Sequence, residues 1–72
     1  MREVATLRLT VNGQVRELAA GTTVAEVVSR WSPSGNGIAV ARNREVVPRS
    51  RWDTTVLADD DRVEIVTAAA GG

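Results

Sequence analysis

From Ala5 to Val11 the chain alternates apolar and polar positions, with Ala5, Leu7, Leu9 and Val11 set against Thr6, Arg8 and Thr10. A two-residue period of this kind marks a strand with one buried face. Asn12-Gly13 follows, a dipeptide that tolerates the paired positive φ angles of a type I′ turn, so the chain should return as a second strand over Gln14–Leu18. Three positions separate Val15 from Leu18, which breaks the alternation and predicts a bulge or an early strand end. Thr23-Val24-Ala25-Glu26 then has the form of a capping box, the start signal of a helix. Val24, Val27, Val28 and Trp31 recur at i, i+3, i+4 and i+7, which predicts one apolar stripe with Trp31 as a core anchor and Glu26, Ser29 and Arg30 in water.

Ser32 to Gly37 has loop composition. Ile38–Arg42 reads as a third strand, and its small apolar residues predict a central position covered on both faces. Asn43-Arg44 can turn the chain into a short fourth strand, Glu45–Val47, which Pro48 confines to or near a sheet edge because proline cannot donate to the ladder. Arg49–Asp53 should form a tight helical turn, with Arg49 and Arg51 as exposed charges flanking a core Trp52. Asp59, Asp60 and Asp61 read as a solvated turn, since three adjacent acids do not converge on a metal without further ligands. A fifth strand is expected over Arg62–Thr67, with the outward-facing Val66 a candidate for a docking patch.

The order is strand, strand, helix, strand, strand, strand. The helical crossing favours a parallel contact between the first and last strands, with the helix on one sheet face. The expected fold class is therefore α+β, a β-grasp with a mixed five-stranded sheet and one main helix. Residues 1–67 would form that domain, and residues 68–72 a flexible tail.

Composition narrows the chemistry available to such a domain. A chain of 72 residues has little room for a deep catalytic cavity. It contains no Cys, His or Lys, which removes thiolate metal ligands, cysteine nucleophiles, the usual general base and Schiff-base chemistry. An enzyme is not expected, nor is a bound metal. Nine basic and nine acidic residues give formal neutrality, against a nucleic-acid or anionic-membrane binder. Neither a signal-peptide segment nor a membrane span is visible, so a cytoplasmic protein is expected.

The chain ends Ala68-Ala69-Ala70-Gly71-Gly72. At ordinary glycine usage two terminal glycines arise by chance in roughly 0.5% of chains. A tail this slender can thread a narrow tunnel, with Gly72 supplying the reacting carboxyl, and Gly71 and Ala70 supplying clearance. Extended, residues 68–72 could reach about 17 Å from the end of the last strand.

Taken in order, Val11-Asn12-Gly13, Gly21-Thr22-Thr23-Val24, Ile38-Ala39-Val40-Ala41-Arg42-Asn43, Val47-Pro48-Arg49 with Trp52, Asp61-Arg62-Val63-Glu64-Ile65 and Gly71-Gly72 resemble the ThiS family of ubiquitin-like sulfur carriers. One departure is Asp60, which stands where the family has a glycine before its Asp-x-Val-Glu-Ile stretch. The resemblance implies that a partner of the ubiquitin-activating type adenylates Gly72 using ATP and magnesium. A sulfur donor protein then displaces AMP to leave a thiocarboxylate, and thiazole synthase uses the sulfur in thiamine biosynthesis. No cofactor would be bound by the chain itself. Three alternatives stay open at this point: a molybdopterin-type carrier, a ubiquitin-like modifier conjugated through Gly72, and an interaction module with an inert tail.

Overall fold

A computed structural model of the chain describes residues 5–31 and 36–67. The expected boundary between domain and tail falls at the edge of that range, and most of the expected loop after the helix lies outside it. The elements are β1 (Thr6–Val11), β2 (Gln14–Ala19), α1 (Val24–Trp31), β3 (Ile38–Arg42), β4 (Glu45–Val46), a 3₁₀ turn (Arg49–Arg51) and β5 (Arg62–Thr67). They form one five-stranded sheet in the order β2-β1-β5-β3-β4, with β1 and β5 parallel and the other neighbours antiparallel. This is the expected β-grasp topology.

Both hairpins follow from their turn residues. Asn12 and Gly13 adopt φ of 52° and 83°, and Asn43 and Arg44 adopt 51° and 72°. These left-handed pairs match the right-handed twist of the strands they join. The predicted irregularity in β2 is absent, and the register runs unbroken from Thr6↔Ala19 to Val11↔Gln14. Gln14, Arg16 and Leu18 share the inner face of β2, while Val15 points outward and is exposed. The broken alternation therefore marks an apolar residue on the wet face, not a bulge.

At the helix entry the capping box forms as expected. The Thr23 N–H donates to Glu26 Oε1 at 2.9 Å, and the Glu26 N–H donates to Thr23 Oγ1 at 3.3 Å. The next two first-turn donors are met by the loop after the 3₁₀ turn, Val24 N–H by the Thr55 carbonyl at 3.0 Å and Ala25 N–H by that of Trp52 at 3.1 Å. All four would otherwise be orphan groups of a helix start. The same loop buries Trp52 and Leu57 beside Val24, Val27 and Val28 of the helix and Leu9, Val11, Val40, Val63 and Ile65 of the sheet. Trp52 closes the arrangement by donating Nε1–H to the Val47 carbonyl at 2.9 Å.

Three expectations need correction. Trp31 is 41% exposed and not a core anchor; it lies in the last turn of α1, where the Arg16 guanidinium stacks 5.8 Å from its ring centroid. Trp52 takes the anchoring role. The strand β3 is next to the edge rather than central, and only Val40 of its five residues is fully buried. Its small residues Ala39 and Ala41 face outward. Finally, the acidic turn is only partly solvated, since Asp61 is buried, 5% exposed.

Asp61 closes one end of the core. Its carboxylate accepts from Arg42 Nε at 2.7 Å, Asn43 Nδ2 at 3.0 Å and the Ala58 N–H at 2.8 Å. Burial works against the charge, but the Arg42, Ala58 and Asn43 hydrogen bonds and the Arg42 charge outweigh it and hold the carboxyl below its ordinary pKa. Next to it, Asp60 carries the turn at φ 67°, the left-handed region where glycine is at ease.

These two neighbours make opposite predictions. Asp60→Gly relieves the left-handed Cβ and removes one charge of an acidic run; net of glycine's extra unfolded-state entropy it should add about 0.5–1 kcal/mol, a rise of roughly 2–8 °C in Tm. Asp61→Asn should cost about 2 kcal/mol at pH 7 in urea unfolding, through loss of charge-assisted hydrogen bonds. Because the folded-state pKa of Asp61 is depressed, its stabilisation is present above the unfolded value near 3.9 and lost as pH falls through the lower folded value. The gap between Asp61→Asn and the native protein should therefore narrow below about pH 4.

Candidate functional site

The predicted reacting group, Gly72, and its clearance residues Gly71 and Ala70 lie outside the described residues. What the structure does describe is the root from which they follow, the C-terminal end of β5 at Thr67. β5 is the middle strand of the sheet and has sheet on both sides at its start. The two flanks end at different points. On one side β3 accompanies β5 as far as Ile38↔Thr67. On the other, β1 pairs only at Thr10↔Arg62 and Val11↔Val63 before it turns away into the first hairpin.

Successive peptide groups of a strand point to alternate flanks. The Asp61 and Val63 carbonyls accept from Thr10 N–H at 3.0 Å and Asn12 N–H at 2.8 Å, so odd-numbered residues address the β1 side. The Arg62 carbonyl accepts from Asn43 N–H at 2.8 Å, so even-numbered residues address β3 and its hairpin. By that alternation Ile65 points toward β1 at a level that β1 no longer reaches. The side chain of Asn12 fills the place. Its Oδ1 accepts from the Ile65 N–H at 2.8 Å, and its Nδ2 donates to the Ile65 carbonyl at 3.2 Å.

Around this root the outer sheet face is apolar. Val66 is 60% exposed and registers with Ala39, while Val46 is 75% exposed and registers with Ala41. These four, with Asn12 and Glu64, line one shallow depression on the face opposite the helix. The contiguity that sequence could not establish for Val66 is thus present.

The remaining candidates resolve into structural roles. Among the acids, Asp61 is committed to Arg42 and Asn43, and Asp59 Oδ1 accepts from the Arg8 N–H at 2.7 Å. Arg49 stacks 5.6 Å from the Trp52 centroid and donates to Asn36 Oδ1 at 3.2 Å, so it covers the buried ring as well as carrying charge. Among the described residues no helix is long and apolar enough to cross a membrane. The two asparagines were legible in sequence only as turn formers. Their second use, reaching across to β5, depends on which strand lies beside each hairpin, and that neighbour is some fifty residues away for Asn12.

Comparison with known proteins agrees with this architecture. The sequence profile of the ThiS family matches residues 9–72. The sulfur carrier protein ThiS of Escherichia coli K12 is 32% identical over 66 residues, covering 92% of this chain and 100% of that protein. The thiazole synthase of Paramagnetospirillum magneticum is 33% identical over 66 residues, and the one from Magnetococcus marinus 32% identical over 66 residues. This chain spans 20% of the length of each of those two synthases. The crystal structure of the thiamine biosynthesis protein ThiS from Geobacter metallireducens matches with a TM-score of 0.76 at 32% identity, covering 92% of this chain and 100% of that one. A profile that runs through the terminal diglycine, together with a full-length sequence match and the shared fold, establishes that the chain belongs to the ThiS family.

Proposed function

We propose that this protein is a sulfur carrier of thiamine biosynthesis whose Gly72 carboxylate is adenylated and then converted to a thiocarboxylate. The observation that carries the reading is the family match, which extends to residue 72 and so includes Gly71-Gly72 in the shared pattern. An α-carboxylate is an anion at neutral pH and resists nucleophilic attack. Attack of one of its oxygens on the α-phosphorus of ATP expels pyrophosphate and leaves an acyl adenylate with AMP as leaving group. Hydrosulfide delivered by a sulfur donor protein then attacks the acyl carbon, the acyl–oxygen bond to AMP breaks, AMP departs and the sulfur loses its proton; the resulting thiocarboxylate is a better nucleophile than the carboxylate it replaced. ATP and magnesium act on the activating partner, where the ion and cationic side chains stabilise charge developing on phosphate.

Thiazole synthase is the acceptor in this reading. Two proteins of that name contain a segment about one third identical to nearly all of this chain within a polypeptide five times as long, which supports physical association of the two activities. The carrier itself performs no catalysis; it presents the carboxyl end, and does so in the cytoplasm. The Val66, Ala39, Ala41 and Val46 depression beside the root of the tail is the surface we assign to partner docking, since contiguous exposed apolar area next to a reacting segment is what an interface requires.

Three measurements test the reading. Intact-mass analysis of the carrier recovered from growing cells should show one carboxyl oxygen replaced by sulfur, and deletion of Gly71-Gly72 should abolish that species and impose a thiamine requirement. Gly71→Val should leave the melting temperature unchanged while reducing pyrophosphate release by the activating enzyme at least tenfold, because the added branches obstruct a tunnel shaped for glycine. Val66→Asp should raise the KM for the carrier by about tenfold with kcat little changed, the signature of lost docking.

A further inference from the structure

We propose that Asn12 is a positioning residue for the reaction at Gly72: its side-chain amide stands in for the missing continuation of β1 and holds the root of the tail in line. The proposal rests on the sulfur-carrier reading and adds to it a residue that lies sixty positions away in sequence. Past Val63 the β5 strand has a neighbouring strand on the β3 side alone. At Ile65 the Asn12 amide supplies both a donor and an acceptor, at 3.2 and 2.8 Å, reproducing what a peptide group of an adjacent strand would offer.

Few side chains can do this. The site needs a donor and an acceptor a short reach from the backbone, and it needs them on a residue at φ 52°. Asparagine is the residue that meets both requirements, since it tolerates the left-handed region and carries a planar amide. Aspartate keeps the shape and the acceptor but sets a carboxylate oxygen against the Ile65 carbonyl. Glycine keeps the backbone geometry and loses the clamp. The pair of substitutions therefore separates turn formation from clamping.

The consequence for function is entropic. A carboxylate delivered to an enclosed site reacts at a rate set by how often its approach is productive, and freedom upstream of the tail dilutes that frequency. Anchors on the two flanks, Asn12 at Ile65 and β3 at Glu64 and Val66, transmit the orientation of the sheet to the last residues before the tail. With Asn12 removed, the strand is held from one side between Glu64 and Thr67, and the direction in which it ends is less defined.

The test compares the native carrier with Asn12→Gly and Asn12→Asp in pyrophosphate release by the activating enzyme, at a temperature where circular dichroism shows all three folded. The expected result is a fall in kcat of roughly tenfold with KM within about twofold, the opposite split from Val66→Asp. Amide hydrogen exchange followed by NMR should show faster exchange at Ile65 in Asn12→Gly, with Glu64 and Val66, which face β3, unchanged. An unaltered kcat overturns the proposal, as does equal acceleration of odd- and even-numbered β5 amides, which would mean general loosening. Should neither variant fold, exchange in the native protein decides, because an unprotected Ile65 amide also rejects the clamp. If the native carrier itself releases no pyrophosphate, the sulfur-carrier reading falls and takes the proposal with it; an active native carrier with equally active variants removes the clamp alone.

Discussion

The central strand β5 is gripped from both sides by the side chains of two hairpin asparagines, and the fold is organised around that grip. Asn43 accepts from the Arg62 N–H through Oδ1 at 2.9 Å and donates through Nδ2 to Asp61, fastening the start of the strand. Asn12 fastens its later part at Ile65 from the opposite flank. Each asparagine stands first in a type I′ turn, where a left-handed backbone is required. The same residue thus reverses one pair of strands and ties that pair to a third. A sheet in which the last strand to be made lies in the middle depends on such ties, because β5 must insert between β1 and β3 after both hairpins exist in the sequence.

Packing extends this arrangement to the other layer. Val63 and Ile65 of β5 share one buried core with Val24, Val27 and Val28 of α1, and the loop carrying Trp52 and Leu57 seals the helix start by accepting two of its first N–H groups. In a chain without Phe or Tyr, most of the core is valine and leucine, whose small side chains fill space only if the layers sit close. Among the described residues Asp61 is the one buried charge, and its position explains why it is tolerated. Its carboxylate is matched by a guanidinium, an amide and a backbone N–H, and Arg42 retains 31% of its side-chain exposure, so its stem lies against the core and its charge is not fully desolvated.

Much of this was legible in the sequence where the determining physics is local. The hairpins at Asn12-Gly13 and Asn43-Arg44, the capping box at Thr23 and Glu26, the edge placement of the strand before Pro48 and the parallel contact of first and last strands all follow from turn chemistry, helix-end hydrogen bonding and crossover rules. What failed were inferences about which side of an element is covered. Trp31 fits the helical stripe, yet it falls where the last turn passes the sheet's β2 side, and Arg16 rather than the core takes its ring face. Ala39 and Ala41 suggested double coverage, but their small size serves an open outer face. Asp61 looked like its two neighbours because burial at the end of an acidic run depends on Arg42 and Asn43 from another hairpin. The proposed reacting end, Gly71-Gly72, lies outside the described residues and rests on the sequence, where the feature that matters is the absence of side chains.

A carrier of this kind must satisfy two opposed demands at one point of the chain. On the proposed reading the reacting end has to lack bulk, which means residues with little or no side chain. The body has to give that end a definite origin, or the partner must do all the ordering itself. Joining the tail to a central strand meets the second demand without compromising the first, because the strand's order comes from its neighbours and not from the tail's own contacts. An edge strand would serve less well, having one flank to hold it. In the proposed division of labour activation belongs to a partner, while presentation needs only a rigid origin, an apolar face beside it and a slender end.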